Sequence, residues 1–177
     1  MTISPERDQR IRLRPPRQGD EQAVRAAQIV LKDDNFGFAF GLTPDTPWTS
    51  YLERLAHEQA GIALAPNRVP GMFLLAEVAG QMVGRASIRY ELNDWLLAHA
   101  GHLGYGVLPQ FRRRGFATQI LQQSLIIARA FGVDRVLVTC DDHNVGSAAV
   151  IARCGGRRDE QWPTTPGTVP KRRYWID

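Results

Sequence analysis

Gly104-Tyr105-Gly106-Val107-Leu108-Pro109-Gln110-Phe111-Arg112-Arg113-Arg114-Gly115-Phe116-Ala117-Thr118 is the most informative stretch of the chain. It sets a strand, a basic turn and the first turn of a long helix in direct succession. A helix N-terminus carries unpaired N–H groups and a partial positive charge, so a turn that lets phosphate reach the backbone becomes a pyrophosphate site. Gly115 and Ala117 keep that approach clear of bulky side chains, and Arg112, Arg113 and Arg114 add positive charge. Taken alone, such a turn is more often a solvated surface, so its meaning depends on what surrounds it.

Downstream, Gly115 to Phe131 is the clearest helix, with Ala117, Ile120, Leu121, Ser124, Leu125, Ala128 and Phe131 on one stripe and Gly132 placed for a C-terminal cap. Arg135 to Cys140 reads as a buried strand, Asn144 to Arg153 as a short helix ended by Gly155-Gly156, Arg157 to Trp162 as a strand, and Arg172 to Ile176 as the closing strand. Upstream, His102 to Leu108 is a strand whose internal Gly104 and Gly106 mark either a bulge or a close approach to the backbone. Met72 to Val78 and Met82 to Tyr90, joined by Ala79-Gly80, form an antiparallel hairpin, whereas Glu91 to Gly101 is irregular. Ile11 to Arg14 is a first strand. Asp20 caps a helix carrying Val24, Ala27, Ile29, Val30 and Leu31, and Thr46-Pro47 opens another bearing Trp48, Tyr51, Leu52 and Leu55, which Gly61 ends.

The length of 177 residues, 44% apolar and 23% charged, fits one domain over 1–177 with residues 1–10 as a flexible arm, and excludes a disordered or fibrous chain. No apolar run approaches the ~18 residues of a membrane span and the start lacks a signal-peptide core, so a soluble, cytoplasmic protein is expected, without membrane partners. The net charge is +4, and all basic residues except Lys32 and Lys171 are Arg. Arg forks suit phosphate and carboxylate, although compositional bias explains much of the excess. Cys140 and Cys154 are too few for a disulfide framework, and with His143 they lack a fourth ligand at zinc spacing, so no metal is expected.

Arg112-x-x-Gly115-x-Ala117, after a strand ending in Val107-Leu108-Pro109, resembles the acyl-CoA pyrophosphate loop of the GNAT superfamily of N-acetyltransferases. Asn144-Val145-Gly146-Ser147, leading to Gly155-Gly156, resembles the family's second signature, and the element order is similar along nearly the whole chain. Glu91-Leu92-Asn93, Gly101 to Tyr105 and Arg172 to Ile176 resemble a less characterised branch. The resemblance implies an α/β fold with a central, mostly antiparallel sheet, a splayed parallel strand pair and flanking helices. It implies acetyl-CoA as cosubstrate and an amine acceptor. The backbone of Tyr105, Gly106 and Val107 would meet the thioester end, residues Arg112, Arg113, Arg114, Gly115, Phe116, Ala117 and Thr118 the pyrophosphate, and Asn144 with Ser147 the pantetheine region. Asn144 suits a helix N-cap equally well.

Two departures stand out against that family. Many members carry a Tyr acid where this chain has Ile151, and some a Glu base where it has Thr139. Glu91 and His102, bordering the open end of the loop strand, are the replacement candidates, with Tyr105 as an alternative acid; an exposed carboxylate and a locally satisfied imidazole are the plainer readings. Cys154 sits at a packing position and reads as an inert thiol. Asp33, Asp34, Phe36, Phe38, Phe40 and Trp48 are candidates for acceptor contact, or else for caps and core.

The expected activity is acetyl transfer to a primary amine by direct attack in a ternary complex. A catalytically weak acyl-CoA-binding sensor module is the alternative. Nucleic-acid binding is disfavoured because the arginines are scattered without a recognised motif. A homodimer is possible through Tyr174 or Trp175, which could equally complete the monomer core.

Overall fold

The computed structural model describes residues 10–32, 34, 36–160 and 169–177. Seven strands form one sheet: β1 (Arg12–Arg14), β2 (Gly71–Val78), β3 (Gln81–Arg89), β4 (Leu103–Val107), β5 (Val136–Asp141), β6 (Arg157–Arg158) and β7 (Lys171–Ile176), in the order β1-β2-β3-β4-β5-β7-β6. Every neighbouring pair is antiparallel except β4 and β5, which run parallel and are in register only at Leu103 and Val138. The helices are α1 (Glu21–Val30), α2 (Trp48–Ala60), α3 (Asp94–His99), α4 (Phe116–Ala130) and α5 (Val145–Arg153). This is the mixed, mostly antiparallel sheet with a splayed parallel pair that the family resemblance implies.

The core divides into two clusters. One gathers Val24 and Leu31 with Trp48 and Tyr51 of α2, Phe38, and Phe73 and Leu75 of β2. The other joins Leu121, Leu125 and Ala128 of α4 to Ile151 of α5 and to Val136, Val138 and Tyr174. Phe116 and Ile120 belong to the first cluster, so α4 ties the two halves together. At about 25 cal/mol per Å² of apolar surface removed from water, these clusters supply the main driving force.

Several local expectations change. Asp20 occupies the N-cap position of α1, but its side chain makes no capping bond. Its carboxylate instead grips the Arg14 guanidinium with both oxygens, at 2.7 and 2.8 Å, and accepts the Arg17 N–H. Glu77 takes Arg14 Nε at 2.6 Å, closing a network that fastens β1 and β2 to the start of α1. Ile29 and Val30 are exposed, because the buried stripe of α1 runs through Val24 and Ala27. Pro47 is the N-cap of α2, not its first turn, and Thr46 bonds back to Thr43. The segment expected to be irregular contains α3, capped by Asn93 Oδ1 accepting the Leu96 N–H at 2.9 Å. The strand expected over Arg157 to Trp162 pairs only at Arg157 and Arg158; Gln161 and Trp162 lie outside the described residues. No helix among the described residues is long and apolar enough to cross a membrane.

Candidate functional site

Strand β4 decides the site, because its two edges have different fates. Arg89 N–H donates to His102 C=O and Leu108 N–H to Val83 C=O, which places the peptide groups of Leu103, Tyr105 and Val107 on the edge facing away from β3. That edge points at β5, but β5 pairs with it only at its start. Beyond Leu103 the strands part, and the peptide groups of Tyr105 and Val107 face a gap. An exposed strand edge is a template that an extended ligand can extend.

His102 sits where the strands part. Its N–H donates to Leu137 C=O at 2.8 Å, while its ring Nδ1 accepts the Leu137 N–H at 2.9 Å. The imidazole therefore replaces a backbone carbonyl and occupies the nitrogen lone pair that a base would use. It is buried and neutral, with its pKa lowered from 6.5 to about 4, first by burial and then by the nearby Arg89 charge.

The glycines of β4 admit side chains, and the β3–β4 register runs through them without a bulge. A Cβ on Gly106 would lie 2.6 Å from the Phe36 ring, so only glycine lets that ring cross the strand. Arg85 follows on the same face of β3, at 2% exposure, donating to Gly37 C=O at 2.8 Å and Gly104 C=O at 3.2 Å. Its guanidinium stands 4.4 Å from the Phe36 ring centroid and 5.4 Å from that of Phe40.

The gap opens into a cleft of about 950 Å³ that runs past Tyr105 to the start of α4. There Gly115 is the N-cap with φ +79°, a left-handed conformation suited to glycine, and a Cβ at that position meets open space. Helical bonding begins with Gln119 N–H donating to Gly115 C=O, so the N–H groups of Phe116, Ala117 and Thr118 precede the helical ladder and no side chain caps them. Arg113 also holds a positive φ, of +60°.

The three arginines do different things. Arg112 ion-pairs with Asp34 and donates through Nε to Val107 C=O at 3.1 Å, fastening the turn to β4. Arg114 lies 5.7 Å from the Phe111 ring, and Arg113 is exposed beside the cleft. Across the cleft, Asn144 Oδ1 caps α5 by accepting the Ser147 N–H at 3.0 Å. Tyr105 Oη and Ser147 Oγ are 2.9 Å apart, and burial pushes the Tyr105 phenol far above its ordinary range, so it keeps its proton.

Of the other sequence candidates, Glu91 is exposed after β3 and does not line the cleft. Phe36, Phe40 and Asp34 border the cleft, whereas Phe38 and Trp48 are core residues; Asp33 lies outside the described residues. Ile151 is fully buried, and the Thr139 hydroxyl donates to His99 C=O at 3.2 Å. Tyr174 is buried, and Trp175 donates to Asp159. Among the described residues no three His, Cys, Asp or Glu side chains cluster as metal ligands, and burial raises both thiols above their ordinary range.

Sequence reasoning missed Arg85, Arg89 and His99, all of which line the cleft. The alternation Val83-x-Arg85-x-Ser87-x-Arg89 carries the signal for the two arginines, which share one face of β3. His99 closes the helix that was read as irregular.

The family model for an acetyltransferase (GNAT) domain matches residues 10–157. No curated protein matches the sequence. Among solved structures, a probable acetyltransferase superposes with a TM-score of 0.69 at 16% identity, covering 95% of this chain and 93% of the other. The yncA putative acetyltransferase of Salmonella typhimurium, determined with acetyl-CoA, gives 0.61 at 15% identity, covering 94% and 93%. Spermidine N-acetyltransferase of Vibrio cholerae, determined with CoA and spermine, also gives 0.61 at 15%, covering 94% and 95%.

Proposed function

The chain belongs to the GNAT acetyltransferase family, and from that premise we propose that it transfers an acetyl group from acetyl-CoA to a primary amine, by direct attack within a ternary complex. The observation that supports this most is the continuity of the cleft, from the stretch of β4 that β5 leaves unpaired, where Val107 C=O is held by Arg112, to the uncapped start of α4. The first matches the amide-bearing pantetheine arm, which adds to the strand edge through the peptide groups of Tyr105 and Val107 while Gly106, between them, pairs with β3. The second matches a pyrophosphate, met by the N–H groups of Phe116, Ala117 and Thr118 with Arg113 and Arg114 alongside. Arg112 holds the loop in place. Asn144 and Ser147 border the pantetheine.

An alkyl amine with a pKa near ~10.4 is mostly protonated at neutral pH, and freeing it costs about 4 kcal/mol. His99, at the edge of the cleft, is the imidazole assigned to take that proton, directly or through water. Neutral nitrogen then attacks the thioester carbonyl, and the Val107 N–H, on the unpaired edge, faces the oxyanion that develops. As the C–S bond breaks, the Tyr105 hydroxyl, hydrogen-bonded to Ser147, gives its proton to the departing thiolate, and the phenolate regains a proton, directly or through water, from the nitrogen as it becomes an amide. Proximity supplies the remainder, and no covalent enzyme intermediate is required. His102 is a positioning residue in this scheme: it holds the two strands where they begin to part.

Calorimetry with acetyl-CoA, followed by free-thiol release across a panel of amines, tests the proposal. Saturable binding with amine-dependent release supports it. Binding without release from any amine reduces the chain to an acyl-CoA-binding module, and absence of binding overturns the reading of the loop.

A further inference from the structure

We propose that the amine acceptor carries an oxyanion on the same molecule, and that Arg89, backed by the fixed charge of Arg85, is the specificity-determining residue that binds it. The proposal rests on the acetyl-transfer reading and adds the chemical class of the second substrate.

Arg85 and Arg89 project from the same face of β3, and both line the cleft. Among the described residues neither is ion-paired with a carboxylate. Arg85 is almost wholly buried, bonds to two backbone carbonyls and the Ser87 hydroxyl, and leaves Nε without a partner. Arg89 donates only to Gly101 C=O, at 3.0 Å, so the rest of its guanidinium fork is uncommitted. Burial and the surrounding cations lower their pKa values to about 9 and about 10. A guanidinium held against carbonyls and aromatic rings, without a counter-charge, costs stability that a packed apolar side chain would not. Such a cost is typical of a group whose partner arrives with the ligand.

Position identifies which ligand. Arg89, Phe40 and Ala100 line both the cleft and a second cavity of about 640 Å³, which continues between α2, β2 and α3. The charged groups around that second cavity are Arg89, Arg68 and Glu58, and Glu58 is already neutralised by Arg68 at 3.1 Å. On the cleft side, Arg85 and His102 stand close enough to feel the Arg89 charge, and His99 also lines the cleft. The chamber on the acceptor side of the gap is therefore net positive, with an uncommitted arginine fork at its mouth. A polycationic amine is repelled there. An amine bearing a carboxylate or phosphate pairs its anion bidentately with Arg89, which aims the nitrogen at the gap beyond Gly104.

Thiol release in the presence of acetyl-CoA is measured for L-amino acids against their methyl esters, for phosphoethanolamine against ethanolamine, and for spermidine. The proposal expects kcat/KM at least tenfold higher for the anionic member of a pair, with the two pairs separating carboxylate from phosphate as the preferred anion. Arg89→Gln is expected to raise KM for the anionic acceptor at least tenfold, leave kcat for the neutral analogue within about threefold, and leave acetyl-CoA affinity unchanged; Arg89→Lys restores part of the preference. Equal use of acid and ester, preference for spermidine, or equal loss on both analogues in Arg89→Gln overturns the proposal alone. Failure of the wild-type protein to bind acetyl-CoA overturns the acetyl-transfer reading and the acceptor class with it.

Discussion

The ring Nδ1 of His102 accepts the backbone N–H of Leu137 at 2.9 Å, so a side chain stands in for a strand carbonyl where β4 and β5 separate. The bond needs an unprotonated nitrogen, which couples the sheet's opening to the charge of one imidazole. With the folded-state pKa lowered from 6.5 to about 4, the unfolded chain binds the extra proton first as pH falls. Stability is therefore full above pH 6.5 and falls as pH drops towards 4, by an amount on the order of 2 kcal/mol. Urea unfolding at a series of pH values measures that slope. His102→Asn, which offers an amide oxygen where Nδ1 stood and does not titrate, is expected to flatten it while the chain remains folded.

Gly115→Asp is expected to weaken acetyl-CoA binding by about 100-fold, through the added carboxylate beside the helix N-terminus. Its Cβ enters open space, so the folding cost is confined to the left-handed backbone, about 1 kcal/mol. Calorimetry and a thermal melt on one preparation separate the two effects; unchanged affinity would contradict the placement of the pyrophosphate.

Tyr105→Phe removes the proton assigned to the leaving thiolate and keeps the ring. We expect kcat to fall by about 100-fold with acetyl-CoA affinity retained. His99→Gln is expected to shift the rate profile towards high pH, where the amine is already neutral. A Tyr105→Phe enzyme with unaltered kcat would return Tyr105 to a purely structural role.

Asp20→Asn breaks the two-oxygen grip on Arg14 and leaves Glu77 alone against a nearly buried guanidinium, which should cost about 1–3 kcal/mol in chemical denaturation. The Arg14 hydrogen bonds hold the Asp20 carboxyl below its ordinary value of 3.8. Its contribution is therefore present above pH ~4 and lost as the solution is acidified below that. The acid limb of the stability curve should be shallower in Asp20→Asn than in the wild type.

The fold was largely legible because its signals are local. The hairpin around Ala79-Gly80, the stripe of α4 from Ile120 to Ala128 and the Gly61 terminus of α2 all lie where periodicity and glycine place them, whereas Phe131, read onto that stripe, follows the helix and is exposed. Helix α3 was missed because six residues do not establish a period, although Asn93 three positions before Leu96 is a capping signal. Asp20 shows a different limit: a carboxylate suited to capping went to an arginine only six residues back, and the turn at Pro15-Pro16 that lets them meet leaves no periodic signal. At the site, the loop geometry follows from Gly115, but the task of His102 depends on a strand thirty-five residues away. Arg85 and Arg89 drew no reading from the sequence, and the packing of Phe36 and Phe40 against the Arg85 guanidinium shows itself only in the fold.

The ion pair between Arg112 and Asp34 joins the turn before α4 to the segment after α1, which leads into Phe36 and Phe40. The same guanidinium also holds Val107 C=O. One arginine thus rivets the turn before α4 both to β4 and to the segment that carries Phe36 and Phe40. Because the Asp34 pair is exposed and the Val107 bond is made by a different nitrogen, Nε, the loop keeps its hold on β4 even when the pair is screened.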